Sequence, residues 1–220
     1  GLYEADYAQV TLLANSSVIF ENMIFRLPNS VSWGGHILGE GIMDLYADNC
    51  RFTGPSGYLN ARDDYSISVD GGNTSVHDCS FTKMRYGIYA ESYSGNEVEL
   101  HGNSFENVRM GITAASNNLS VWGNNIKGES ASNDFTGIYA MGSGSVASNR
   151  IYAEDAGRDG DEAIGIDGYS TESNWAQTRG LFIYNNMVGI NGFYDVVGIN
   201  VYASTQGTAT RVYHNSVDLR

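Results

Sequence analysis

Lysine is nearly missing from this 220-residue chain, which holds only Lys83 and Lys127. Twelve basic residues stand against 25 acidic ones, a formal charge of −13. Nucleic acid is held by fields of Lys and Arg, so this balance argues against it as a partner. No apolar run approaches the ~18–20 residues of a membrane helix, and no membrane span is predicted. Proline occurs twice, which excludes a proline-rich linker. No secretory leader is visible. The chain opens at Gly1 in strand-like sequence, so any export signal is expected to have been removed or to lie upstream.

What is abundant points to strands. The chain has 27 glycines and 15 tyrosines, a balance that suits many tight turns between strands better than helices. Low Lys beside plentiful Asn, Ser, Thr, Gly and Tyr predicts an extracellular or cell-surface location. The length suits one domain or one run of repeats.

A repeat organises the chain. One phrase recurs: apolar, two residues, Asn or Cys, one residue, apolar. It reads IFENMI, ADNCRF, VHDCSF, LHGNSF, VWGNNI, VASNRI, IYNNMV and VYHNSV. Its anchors are Asn22, Cys50, Cys79, Asn103, Asn124, Asn149, Asn186 and Asn215, spaced 28, 29, 24, 21, 25, 37 and 29 residues apart. Between anchors lies a Gly-Ile pair, as at Gly87-Ile88, Gly111-Ile112, Gly137-Ile138, Gly165-Ile166 and Gly198-Ile199. The flanking residues alternate apolar and polar, the period of a strand. No run of ten residues keeps a helical period. The spacing therefore predicts short strands, each pairing with its copy in the next coil at about 4.8 Å. No single coil can bury its apolar face alone, but stacked coils can. An Asn at each bend can hydrogen-bond the amides above and below it, and Asn also tolerates left-handed backbone.

The pattern, with GNSF, GNNI, YNNM and YHNSV at its bends, resembles the right-handed parallel β-helix superfamily that includes pectate lyases. The resemblance covers residues 18–217. LFIYNNMVGI through RVYHNSVDLR also resembles β-helix repeats of very large secreted bacterial surface proteins. The expected fold is thus all-β: one right-handed parallel β-helix domain of about eight coils over residues 1–220, with an Asn/Cys ladder. No amphipathic cap is visible, so the chain is expected to be a fragment of a longer helix, or else to stack end to end on other copies. Cys50 and Cys79 fall at one position of consecutive coils, which allows buried stacked thiols or a disulfide.

Outward residues of such a stack line up as stripes. The first stripe reads Phe20, Asp48, His77, His101, Trp122, Ala147, Tyr184 and Tyr213. Its His77 and His101, with Glu99 on the same face, can bind a divalent metal or perform acid–base work. The second holds Arg85 and Arg109 with Lys83 nearby, a like-charged group needing a counter-anion such as Glu91, Glu106 or an acidic sugar. The lyase resemblance implies Lys or Arg beside uronic acids, so these are the lyase candidates. The third reads Tyr89, Thr113, Tyr139, Asp167 and Asn200. Tyr89, Tyr139 and Asp167, with Trp122 of the first stripe, are the candidate carbohydrate contacts. The longest coil carries Asp155, Asp159, Asp161 and Glu162, candidate ligands for Ca²⁺, although this segment does not fit an EF-hand loop.

Neither a pectinesterase-type QDTL, nor the paired aspartates of polygalacturonases, nor a phosphate loop or Ser-His-Asp signature occurs. Two functional readings follow. One is a non-catalytic structural or adhesive module that contacts polysaccharide or other copies of itself. The other is a polysaccharide lyase or glycoside hydrolase with a groove along the stack.

Overall fold

The computed structural model describes residues 8–29, 33–55, 63–92, 95–128, 134–154, 161–170, 180–192, 194–203 and 209–220. Their regular structure is all strand: 18 strands in one continuous sheet, from Ala8–Leu12 to Ser216–Leu219. Among the described residues, no helix is long and apolar enough to cross a membrane.

Every pairing is parallel. Parallel neighbours need a long connection, and here each segment pairs with a later pass of the chain. Phe25, Phe52, Phe81, Phe105, Ile126, Ile151, Val188 and Val217 pair in turn and form one file across eight passes. The four phenylalanine rings stack with centroids 4.9, 4.9 and 4.6 Å apart. A second file is all isoleucine: Ile37, Ile67, Ile88, Ile112, Ile138, Ile166 and Ile199. The first six of these are at most 1% exposed. Each buried Ile contributes up to about 2–3 kcal/mol of apolar transfer.

The Gly-Ile motif has a steric cause. A Cβ on Gly87 would lie 2.6 Å from Phe105 Cε1, and one on Gly111 would lie 2.7 Å from Ile126 Cγ2. Gly137, Gly165 and Gly198 meet Ile151, Val188 and Val217 in the same way, at 2.6, 2.4 and 2.3 Å. Each glycine makes room for a side chain of the phenylalanine-led file, taken from the following pass. His36 and Ser66 sit opposite each other at this position in two earlier passes, between Gly35↔Tyr65 and Ile37↔Ile67.

The amide ladder runs through Asn103, Asn124, Asn149, Asn186 and Asn215. Asn103 Nδ2 donates to Asn124 Oδ1 at 3.0 Å, Asn124 to Asn149 at 2.9 Å, Asn149 to Asn186 at 3.0 Å and Asn186 to Asn215 at 2.9 Å. Each Oδ1 also accepts from the backbone N–H of the preceding rung. Each Nδ2 donates further to a carbonyl such as Val76, Leu100, Val121 or Val146. Buried amides at a bend thereby find the partners that the interrupted strand ladder withholds.

Two expectations are corrected here. Asn22 is not a rung. Ile24 pairs with Arg51 and Phe20 with Ala47, which sets Met23 beside Cys50 and Asn22 beside Asn49. Asn22 Oδ1 instead accepts from Asn49 Nδ2 at 2.6 Å, on the exposed side. Left-handed backbone also belongs to a different residue than expected. It falls one position before each rung, at Asn22, Asn49, Asp78, Gly102, Gly123, Ser148, Asn185 and His214, with φ between 48° and 65°. The rung amide bonds vertically while its neighbour turns the chain.

Cys50 and Cys79 are free and buried, stacked as thiols. Cys50 N–H donates to Cys79 Sγ at 3.3 Å, and Cys79 N–H donates to Asn103 Oδ1 at 3.0 Å. Burial pushes the Cys79 thiol up to about 12, so it is a protonated core group and not a nucleophile.

Candidate functional site

The first stripe begins one residue later than expected. Asp48 pairs with Glu21, while Phe20 pairs with Ala47 and is buried. From Asp48 onward the file holds: Asp48, His77, His101, Trp122, Ala147, Tyr184 and Tyr213. The period of two sends these side chains outward, opposite to Val76, Leu100 and Val121. The His77 and His101 rings stack at 4.2 Å and 11°, and His101 stacks on Trp122 at 4.3 Å and 13°. Tyr46 meets His77 edge-on at 4.9 Å. Asp48 Oδ1 lies 4.0 Å from His77 Nδ1, and Glu99 Oε1 lies 3.9 Å from His101 Nε2. Ser75 Oγ and His77 Nε2 share a hydrogen bond at 2.5 Å. Burial, and then the neighbouring His77, lowers the pKa of His101; Glu99, Asp78 and Asp48 pull the other way.

The cationic candidates do not converge on an open anion site. Met84 pairs with Val108 and Tyr86 with Met110, which places Arg85 beside Arg109 as the spacing required. Arg109, however, meets Asp134: Nη2 lies 4.0 Å from Oδ2, and Nε donates to the Asp134 carbonyl at 3.4 Å. The expected counter-anions were Glu91 and Glu106. Glu91 instead accepts from Tyr89 Oη at 2.7 Å. The Arg85 guanidinium lies 5.2 Å from the Tyr86 ring centre, and its backbone N–H donates to Asp64 Oδ1. Lys83 is exposed, with φ 60°.

The third stripe is a continuous file: Tyr89, Thr113, Tyr139, Asp167 and Asn200 pair in turn. Two residues further along each strand, a parallel file runs Glu91, Ala115, Met141, Tyr169 and Tyr202 on the same face. Tyr139 meets Tyr169 at 5.2 Å with the rings tilted by 38°, and Tyr169 stacks on Tyr202 at 4.6 Å. Asn200 Nδ2 donates to Asp167 Oδ1 at 3.1 Å. Burial raises the Asp167 carboxyl above the usual carboxylate range. It likewise raises the Tyr139 hydroxyl, with the Asp167 charge adding to the effect. Tyr169 and Tyr202 were not singled out from sequence. Their signal is the i+2 offset from Asp167 and Asn200 along strands Glu162–Ser170 and Asp195–Ala203.

Of the acidic-loop candidates, Asp155 and Asp159 lie outside the described residues. The Asp161 carbonyl accepts from Tyr194 and Asp195 N–H groups, and Glu162 N–H donates to Asp134 Oδ1. Among the described residues, the group whose donor atoms lie close enough to share one ion is a different one: His77, Glu99 and His101, all within 4.8 Å of one another. Comparison with protein-family models, with curated proteins and with solved structures finds no match to this chain.

Proposed function

We propose that the parallel passes wind as a right-handed β-helix and that the chain serves as a non-catalytic extracellular or cell-surface module that contacts glycan. The winding is supported by parallel pairing of every pass with the next, and by the strong right-handed preference of parallel crossovers. The pectate-lyase-like resemblance of the bends agrees with it.

One observation carries the glycan reading. Tyr139, Tyr169 and Tyr202 line adjacent outward files beside Asp167 and Asn200. The outer face of Tyr202, at the end of this stack, and the ring edges of Tyr139 and Tyr169 offer apolar surface for the C–H side of a sugar. The Asn200 amide supplies a donor and an acceptor for its hydroxyls, and the buried Asp167 holds that amide in place through Oδ1. Tyr202 is 52% exposed, so its ring is accessible. Glu91 and Asp167, on a chain of charge −13, favour a neutral glycan over a uronate. The arginines that a lyase would turn toward acidic sugar are instead engaged by Asp134 and Tyr86.

The test is binding to immobilised neutral and acidic polysaccharides, with product analysis for new reducing ends and unsaturated sugars. A neutral glycan is expected to bind without turnover, and Tyr169→Ala to weaken it about tenfold, the scale of one aromatic contact. Turnover of any polysaccharide, or binding that ignores Tyr139→Ala and Tyr169→Ala alike, overturns the reading.

A further inference from the structure

We propose that His77, His101 and Glu99 form a site for a first-row transition ion of the zinc class. The site is assembled by register, not by a loop. Ser75-x-His77 and Glu99-x-His101 are the ends of adjacent parallel strands, and His77 pairs with His101. The period of two sets Glu99 on the same outward face as His101. A three-donor group of two imidazoles and one carboxylate results, with every donor atom within 4.8 Å of the others.

The donor set selects the metal. Ca²⁺ and Mg²⁺ take oxygen ligands. Two imidazole nitrogens with a carboxylate suit Zn²⁺ and its first-row neighbours, as in sites with three protein ligands and an open fourth position. A shared ion at Zn–N of about 2.0–2.1 Å needs donors about 3.4 Å apart, so each donor atom moves inward by about 1 Å or less. Both histidine side chains are partly exposed, at 16% and 19%, which leaves room for that movement. Asp48, 4.0 Å from His77 Nδ1, can hold the ring from behind once Nε2 is given to the ion. Ser75 Oγ then loses His77 Nε2 and turns to solvent. The fourth position faces outward.

Chelation has a visible consequence. The rings of His77, His101 and Trp122 lie nearly parallel in one stack. Parallel imidazoles direct their lone pairs side by side, so converging on one ion tilts them out of the stack. His101 then leaves the face of Trp122. Trp122, one of three tryptophans, is expected to change its fluorescence on metal entry here, and Trp122→Phe to remove that change.

The experiment is titration of the intact chain with Zn²⁺ under native conditions, read by calorimetry and by tryptophan fluorescence, with Ca²⁺ and Mg²⁺ as controls. One Zn²⁺ per chain is expected, with a fluorescence change and no comparable response to Ca²⁺ or Mg²⁺. The double variant H77Q/H101Q is expected to lose at least 100-fold in affinity, and E99Q about tenfold. Circular dichroism and melting of the variants establish that they remain folded, which their surface positions favour. Binding that survives in H77Q/H101Q, half-stoichiometric binding between two chains, or no binding by the wild type overturns the proposal.

Discussion

At the scale of single residues, the most informative side chain was not picked out from sequence. His36 is fully buried against Phe25 and Phe52, with ring centroids at 6.3 and 5.5 Å. Nε2 meets the Thr53 carbonyl at 3.1 Å, while Nδ1 has no hydrogen-bond partner. Burial outweighs the Thr53 contact and lowers the imidazole to about 4. The folded state therefore resists a proton that the unfolded chain accepts near 6.5. This contribution is fully present above the unfolded value and is lost as pH falls from about 6.5 to about 4. At about 1.4 kcal/mol per unit, the total loss is about 3 kcal/mol, of which about 2 has gone by pH 5. Urea unfolding of the wild type and of His36→Leu at pH 7.5 and pH 5 checks it. The wild type is expected to lose about 2 kcal/mol more than the variant over this interval. An equal loss in both would remove His36 from the account.

At the scale of elements, the glycine file decides how closely the strands of one pass approach the side chains of the next. A Cβ on Gly137 would sit 2.5 Å from the Gly165 carbonyl oxygen and 2.6 Å from Ile151 Cγ2. The first is backbone and cannot swing aside. Gly189 provides the contrast, since its Cβ would meet only Tyr152 Cδ2, at 3.4 Å. Gly137→Ala is expected to cost about 1–3 kcal/mol, the range of overpacking, and Gly189→Ala less than about 0.5. Thermal unfolding of the two variants reads the difference, and equal Tm values would contradict it. The same file shows what the sequence made legible. Gly-Ile pairs and anchor phrases marked the passes, because steric room and buried amides leave few residue choices. Asn22 was misplaced because two adjacent positions both favour Asn, one for vertical hydrogen bonds and one for left-handed backbone. In the first pass only the second holds Asn, and Met23 takes the rung. Alignment on Phe25, Phe52, Phe81 and Phe105 would have exposed the slip. The His77–His101 and Tyr139–Asp167 neighbours were legible as well, since register follows from the repeat. Asp134 was not, because its meeting with Arg109 depends on the path of the next pass. Tyr169 and Tyr202 are not legible in the sequence, because their file opens with Glu91, Ala115 and Met141, which share no chemistry.

At the scale of the whole molecule, each pass pairs in parallel with the segments before and after it, so its stability rests chiefly on those neighbours. One apolar cluster runs from Leu12 to Ile190. The central strands Ser104–Trp122 and Phe135–Ala147 pair with passes on both sides. Among the described residues, strands Arg211–Tyr213 and Ser216–Leu219 pair on one side only and are exposed at every residue. Among the described residues the first pass also pairs on one side, through Ala8–Leu12, Ser17–Glu21 and Ile24–Arg26, but it keeps Leu12, Phe20, Phe25 and Leu27 buried. Opening a pass costs the contacts it makes with its neighbours, so local stability should follow this asymmetry. In native-state hydrogen exchange of this chain, amides of the central strands, such as Ile112 and Val121, are expected to exchange slowest. Those of the first pass should be intermediate, and those around Val212 and Val217 fastest. The amide ladder falls off at that edge in the same direction, since Asn215 accepts from Asn186 and donates to the Ile183 carbonyl but meets no further rung among the described residues. Uniform protection from first pass to last would contradict this, because neither the ladder, which spans Asn103 to Asn215, nor the apolar burial is uniform along the passes.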